Sequence, residues 1–220
     1  RKDGGGGGLR VLEAGCGSCS WLDLRDRAHV VGIDISAKQL SRNQLIHEAV
    51  LGDLMQHRFA AGSFDAIVCI DVLEHLDRPQ AALENMHEAL APGGLMVLKL
   101  PNAMSLKGLI TKLTPHGFHV WVFRHVFGKR NAGIDDVGPF KTHMRWAIGP
   151  RALRRWGASH QLAIPYEDYY ESGFQLRLRK RLGPLDALLK LSGLLVGALS
   201  LGKLSLEKTE YVVVFEKPRS

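Results

Sequence analysis

The chain has 220 residues, 45% of them hydrophobic and 23% charged, an ordinary globular composition long enough for one domain with a sizeable core. A formal net charge of +7 attracts nucleic acid, membrane surface and acidic substrates alike, and the absence of a zinc-finger spacing or an aromatic RNA-binding signature argues against a nucleic-acid partner. Three cysteines and no signal peptide ahead of the first strand-like run exclude a disulfide scaffold and predict a cytoplasmic setting.

Residues 1–8, which include five consecutive glycines, cannot pack and read as a flexible lead-in to a single domain over 9–220. Residues 9–14 form a first short apolar strand that ends in Gly15-Cys16-Gly17, and residues 29–35 form a second that ends at Asp34. Ser36 is placed to cap a helix over 37–49. A weaker strand follows near 49–52, and a continuous apolar run over 64–70 suits a strand buried on both faces. Pro79 opens a helix to about Leu90, with Leu83, Met86 and Leu90 on one face and Pro92-Gly93-Gly94 as its stop. A fifth strand occupies 95–100. A helix over 151–160, a strand over 162–170 and a final strand over 210–216 complete the pattern. Strands alternating with helices predict an α/β fold around a parallel sheet.

Two insertions decorate this core, about 103–149 and 171–208. The first follows the fifth strand, where open parallel sheets bind their ligands. It carries His116, His119, His125 and His143. The second carries the basic run Arg177, Arg179, Lys180 and Arg181, then an apolar stretch over 185–206 interrupted by Asp186, Lys190 and Lys203. Those charges leave too short an uncharged run to span a bilayer. Leu185, Leu188, Leu189, Leu195, Val196 and Leu199 keep helical spacing on one face, which favours packing against the core. A cover over a greasy substrate and peripheral membrane contact through 176–206 are the alternatives.

Glycines at a strand-to-helix turn let a ligand approach the backbone, and a helix amino-terminus there would offer free N–H donors. A dinucleotide-binding turn would place a third glycine where Ser20 stands. Asp34, at the end of a strand, can accept hydrogen bonds from two ribose hydroxyls. Asp53, after Gly52, can accept one from an adenine amino group. Cys16 and Cys19 form a C-x-x-C at the same turn, which offers a thioredoxin-like redox pair as a rival reading; no second cysteine pair exists to close a zinc site.

In this order, the segments Val-Leu-Glu-Ala-Gly-Cys-Gly, Val-Val-Gly-Ile-Asp-Ile-Ser, Leu-Gly-Asp-Leu, Ser-Phe-Asp-Ala-Ile-Val-Cys running into Asp-Val-Leu-Glu-His-Leu, and Ala-Pro-Gly-Gly closely resemble the motifs of the class I (Rossmann-like) S-adenosylmethionine-dependent methyltransferases over residues 9–102. The small-molecule type, including the ubiquinone-biosynthesis O-methyltransferases, is the most similar group, and Thr142-His143 with Trp146 and Pro150 resembles its insertion. The resemblance implies a doubly wound, seven-stranded, mostly parallel sheet with an antiparallel last strand. It implies S-adenosylmethionine as cofactor, with Glu13, Gly15, Cys16 and Gly17 beside its methionine part and Asp34 and Ile35 at the ribose. Asp53 and Leu54 would lie at the adenine, and Ile70 and Asp71 along the cleft. The expected reaction is methyl transfer to a small-molecule or lipid-like acceptor at oxygen, with His143 as base. Cys19 stands where the motif has a third glycine, the region 20–27 is short for a helix, and no helices precede the first strand. Those departures leave a truncated or non-catalytic relative as the alternative, with an NAD-dependent oxidoreductase third.

Overall fold

Short β-branched runs separated by polar turns give seven strands, the expected number. A computed structural model describes residues 8–102, 105, 108, 113–125, 128, 130–134, 138, 140, 142, 146–183, 185–201 and 206–219. The strands are β1 (Leu9–Ala14), β2 (Ala28–Asp34), β3 (Glu48–Leu51), β4 (Phe64–Ile70), β5 (Leu90–Pro101), β6 (Ala163–Tyr170) and β7 (Glu210–Glu216). They form one sheet in the order β3-β2-β1-β4-β5-β7-β6. All neighbours pair in parallel except β7, which runs antiparallel to both β5 and β6. Strand β1 sits between β2 and β4, so the winding reverses there, and open α/β sheets form their ligand crevice beyond the carboxyl ends of strands at such a switch point.

Among the described residues the α-helices are α1 (Ala37–Leu40), α2 (Pro79–Ala89), α3 (His116–His125), α4 (Pro150–Ser159), α5 (Gly173–Leu182) and α6 (Leu185–Leu199). Pro at the first position starts both α2 and α4, where its missing N–H costs nothing. Helix α2 buries Ala82, Leu83, Met86 and Ala89, and α4 buries Leu153 and Gly157. These meet a row that crosses four strands in register, Leu12, Ile67, Met96 and Phe215, each fully buried. Burying each such large side chain contributes roughly 1.5–3 kcal/mol. On the other face Val68, Val97, Val212 and Val214 are only half-buried.

Three expectations are corrected. The helix expected over 37–49 stops at Leu40. The Asn43 side chain donates to the carbonyls of Cys16 and Gly17, at 3.2 and 3.3 Å, and accepts from the Leu45 amide at 3.0 Å. That side chain competes with helical hydrogen bonding and turns the chain toward β3. No helix follows the glycine turn either, since residues 15–27 run through turns and bends. Finally, the apolar stretch forms helix α6 over 185–199, but Leu188, Leu191, Leu194, Leu195 and Leu199 face outward. Leu188, Leu194 and Leu199 are 63, 71 and 87% exposed, and no described side chain of α6 is buried. The helix pairs with α5 through Arg179, which grips Asp186 at 2.5 Å, rather than with the core.

Gly157 lets α4 lie against the sheet: a Cβ there would sit 2.4 Å from the Phe215 ring. Gly157→Ala should therefore overpack this contact and cost about 1–3 kcal/mol, read as a lower urea midpoint. An unchanged midpoint would mean that the ring swings aside freely.

Candidate active site

Beyond the end of β1, the chain turns through Gly15 and Gly17 with φ of +73° and +57°, a conformation that glycine adopts without strain. The amides of Gly15 and Cys16 both donate to the Ile33 carbonyl, at 2.8 and 3.1 Å. The Gly17 amide donates to Asp34 Oδ2 and the Ser36 amide to Asp34 Oδ1, both at 2.9 Å. The donors expected from a helix amino-terminus are thus spent on β2. Gly15 lies against Val72, whose Cγ2 would be 2.4 Å from an added Cβ, so this turn also touches the loop after β4. Glu13 is buried beneath the turn and accepts from the Trp21 amide at 3.1 Å. Burial pushes its pKa up, against the lowering effect of hydrogen bonds from Ser20 and Trp21.

Cys16 is buried in the notch above Gly32, where a Cβ would come within 2.7 Å of its sulfur. Burial and the charges of Asp34 and Glu13 push its thiol up to about 12. Nucleophilic sulfur chemistry needs the thiolate, so Cys16 is unsuited to it. Both are free cysteines, Cys19 exposed.

Of the other expected residues, Ile35, Asp53, Ile70 and Asp71 lie at or just beyond the carboxyl ends of β2, β3 and β4. Ile35 projects from the end of β2 with 73% exposure. Asp53 accepts from the Met55 amide at 2.8 Å and from Gln56 Nε2 at 2.7 Å, so it caps the turn after β3. Leu54 is buried in the core, and its carbonyl accepts from Asn85. Ile70 and Asp71 end β4, with Asp71 at φ +55°, a strained position for an ordinary residue. His143 lies outside the described residues. The first insertion reaches this region at Phe140, whose ring meets His75 edge-on at 5.9 Å.

One group escaped the sequence reading. Lys99, a lone cation in the apolar run of β5, donates to both Asp71 oxygens at 2.6 Å and pairs with Glu210 at 3.0 Å. Its side chain lies 5.7 Å from the Trp21 ring. Burial alone would depress its pKa, but Asp71 and Glu210 outweigh burial and raise it. A charge inside a strand that reads Leu-Met-Val-Leu-Lys-Leu was the available signal.

A family model described as a methyltransferase domain matches residues 3–164. The ubiquinone biosynthesis O-methyltransferase of Psychrobacter arcticus is 33% identical over 107 residues, covering 43% of this chain and 42% of that protein. The protein of the same name from Xanthomonas axonopodis pv. citri is 32% identical over 131 residues, covering 51% of this chain and 54% of its own length. The chain therefore spans about half the length of the curated relatives it matches. A solved structure, described as a SAM-dependent methyltransferase from Archaeoglobus fulgidus, shares the fold at a TM-score of 0.60 and 16% identity, over 96% of this chain and 87% of that one.

Glu74, in the turn after β4, is buried, and its Oε2 has no hydrogen-bond partner among the described residues. Burial and then the charge of Asp71 push its pKa from 4.5 up to about 8. The folded chain thus keeps a proton that the unfolded chain releases, and stability falls as pH rises across that window. Melting temperatures measured from pH 5 to pH 8 should decline more steeply in the parent than in Glu74→Gln. Parallel curves would show that Glu74 ionises normally in the fold.

Proposed function

The chain belongs to the methyltransferase domain family, and on that premise we propose that it transfers the methyl group of S-adenosylmethionine to an oxygen of a small-molecule acceptor. The observation that carries the reading is Asp34 at the switch point, held in place by two backbone amides. Each of its oxygens accepts one amide, and a carboxylate has about four lone-pair sites, which leaves capacity for two ribose hydroxyls. Beside it, an added Cβ on Gly17 would meet only Gln39 Oε1, at 3.8 Å, so the backbone is open to a ligand. Exposed Ile35 offers an apolar surface to a flat base, with Asp53 and Leu54 bordering it from β3. Glu13, Gly15 and Cys16 shape the floor near the methionine part, and Ile70 and Asp71 form the opposite wall.

The cofactor's sulfonium supplies an electrophilic methyl group, so alignment and water exclusion are the protein's main tasks. Lys99 holds the Asp71 carboxylate in one orientation at the mouth of the crevice. His143 is proposed as the base that takes the acceptor's hydroxyl proton. Oxygen as the methylated atom draws support from the similarity to proteins named ubiquinone biosynthesis O-methyltransferases. The dinucleotide alternative is disfavoured, because residues 15–27 carry no helix whose amino-terminus would hold a pyrophosphate. Calorimetry should show S-adenosylmethionine binding in the micromolar range, about −8 kcal/mol, weakened at least tenfold by Asp34→Ala. No binding to the parent chain sinks the reading, and binding without transfer to any hydroxylated acceptor leaves the non-catalytic alternative in its place.

A lipid-like acceptor is favoured by the α5–α6 hairpin. Arg179 is tied to Glu171, Asp186 and Glu207, whereas Arg177, Lys180 and Arg181 are exposed. Next to them stand the outward leucines of α6, so one element presents both basic and apolar groups. No described helix is long and apolar enough to cross a membrane, so this contact would be peripheral. Co-sedimentation should be stronger with phosphatidylglycerol vesicles than with phosphatidylcholine vesicles, and Leu194→Ser with Leu195→Ser should reduce it severalfold. Equal recovery with both lipids, or no effect of the substitutions, counts against membrane contact.

A further inference from the structure

Helices α2 and α4 bring Glu84, His87 and His160 together on the covered face of the sheet. One ligand atom from each lies within 4.8 Å of the others. Glu84 and His87 are three residues apart on α2 and so share a face. His160 follows α4 directly, where its own amide closes the helix end. Since β5 begins at Leu90 and β6 at Ala163, this cluster lies toward the end of the sheet where strands start, remote from the Asp34 crevice.

The hydrogen bonds around the cluster sort its atoms into roles. His160 Nδ1 is 2.9 Å from the Trp156 carbonyl, which can only accept, and 3.2 Å from Ser159 Oγ, which spends its own proton on that carbonyl at 2.8 Å, so the tautomer with the proton on Nδ1 satisfies all three groups. A neutral His160 would then present the lone pair of Nε2 to Glu84 Oε2, which is 2.9 Å away and is also an acceptor. Two acceptors at that distance require something positive between them: either a proton or a metal ion. The other oxygen, Glu84 Oε1, accepts from Trp156 Nε1 at 2.7 Å, which orients the carboxylate. This is the outer-shell arrangement that fixes metal-binding histidines and carboxylates. A proton would need only Glu84 and His160. His87 brings a third ligand, its ring edge-on to His160 at 4.8 Å between centroids. Among the described residues, no protein hydrogen bond engages its ring nitrogens. The nearby cation, Lys217, is occupied by the carbonyls of His87 and Leu90, each at 2.8 Å.

We propose that Glu84, His87 and His160 form a binding site for a divalent transition metal of the zinc type, which fastens α4 to α2. Two imidazoles and a carboxylate suit zinc, with water completing the coordination. Ligand atoms around a tetrahedral zinc sit roughly 3.3 Å apart, and here Glu84 and His160 stand at 2.9 Å with all three ligand atoms within 4.8 Å of one another. All three residues are partly exposed, which gives the ion and its water a path.

The test is a zinc titration by calorimetry on chelator-treated protein. The site predicts one equivalent bound with micromolar or tighter affinity, and a melting temperature raised by several degrees. Glu84→Gln, which keeps an acceptor for Trp156, and His87→Gln should each weaken binding at least tenfold. His87→Gln is the sharper variant, because the Glu84–His160 pair survives it; its metal-free melting curve should match the parent's. Cys19→Ser should change nothing. Absence of saturable binding, undiminished binding in His87→Gln, or loss of binding in Cys19→Ser would each overturn the proposal.

Discussion

The carbonyl of Ile33 and the carboxylate of Asp34 hold the end of β1 to the end of β2, and the crevice exists because of that tie. Three amides of the Gly15–Gly17 turn are spent on it. The bonds demand left-handed φ at Gly15 and Gly17, and they drive Cys16 inward against Gly32. Gly15 then has room only for Val72 beside it, so the loop after β4 is set by the same turn. Three consecutive residues thereby lock three strands at the place where the winding reverses. A side chain at Gly15 or Gly32 would have to displace a neighbour at under 3 Å.

A second tie crosses the other half of the sheet. Lys99 on β5 reaches Asp71 at the end of β4 and Glu210 at the start of β7. Both contacts are largely shielded from solvent, so removing either carboxylate would leave a buried charge short of compensation. The net charge of +7 hides this local picture, since Asp34, Asp71 and Glu210 give the strand ends an acidic character. The excess of positive charge sits elsewhere, much of it on α5.

Most of the sheet was legible because its strands obey a local rule: apolar, β-branched runs bounded by turn residues. The edges of β2, β3 and β6 fell within one residue or so of their expected positions. The resemblance supplied what periodicity lacks, namely the antiparallel setting of β7. Failures came where a side chain overrides local preference. Asn43 looks unremarkable in a helix-like stretch, yet its amide serves the carbonyls of a turn 26 and 27 residues earlier in the chain. Lys99 was legible as an oddity, but its partners lie 28 residues before it and far beyond it in sequence. The helical spacing of α6 was read correctly, while the direction of its apolar face was not. Periodicity reports that a face exists and says nothing about what meets it.

Strand β7 follows both insertions in the chain, and it lies between β5 and β6. Residues 102–209 therefore have to be accommodated before β5 receives its outer neighbour, and among the described residues β6 pairs in the sheet with β7 alone. During synthesis the completed β5 waits with an open edge while all of both insertions emerges. Closing so distant a pair carries a large loop entropy and slows folding relative to local pairings. Until Glu210–Glu216 docks, the β5 edge and the Phe215 side of the core stay unsealed, so a distant pairing of seven residues closes the sheet.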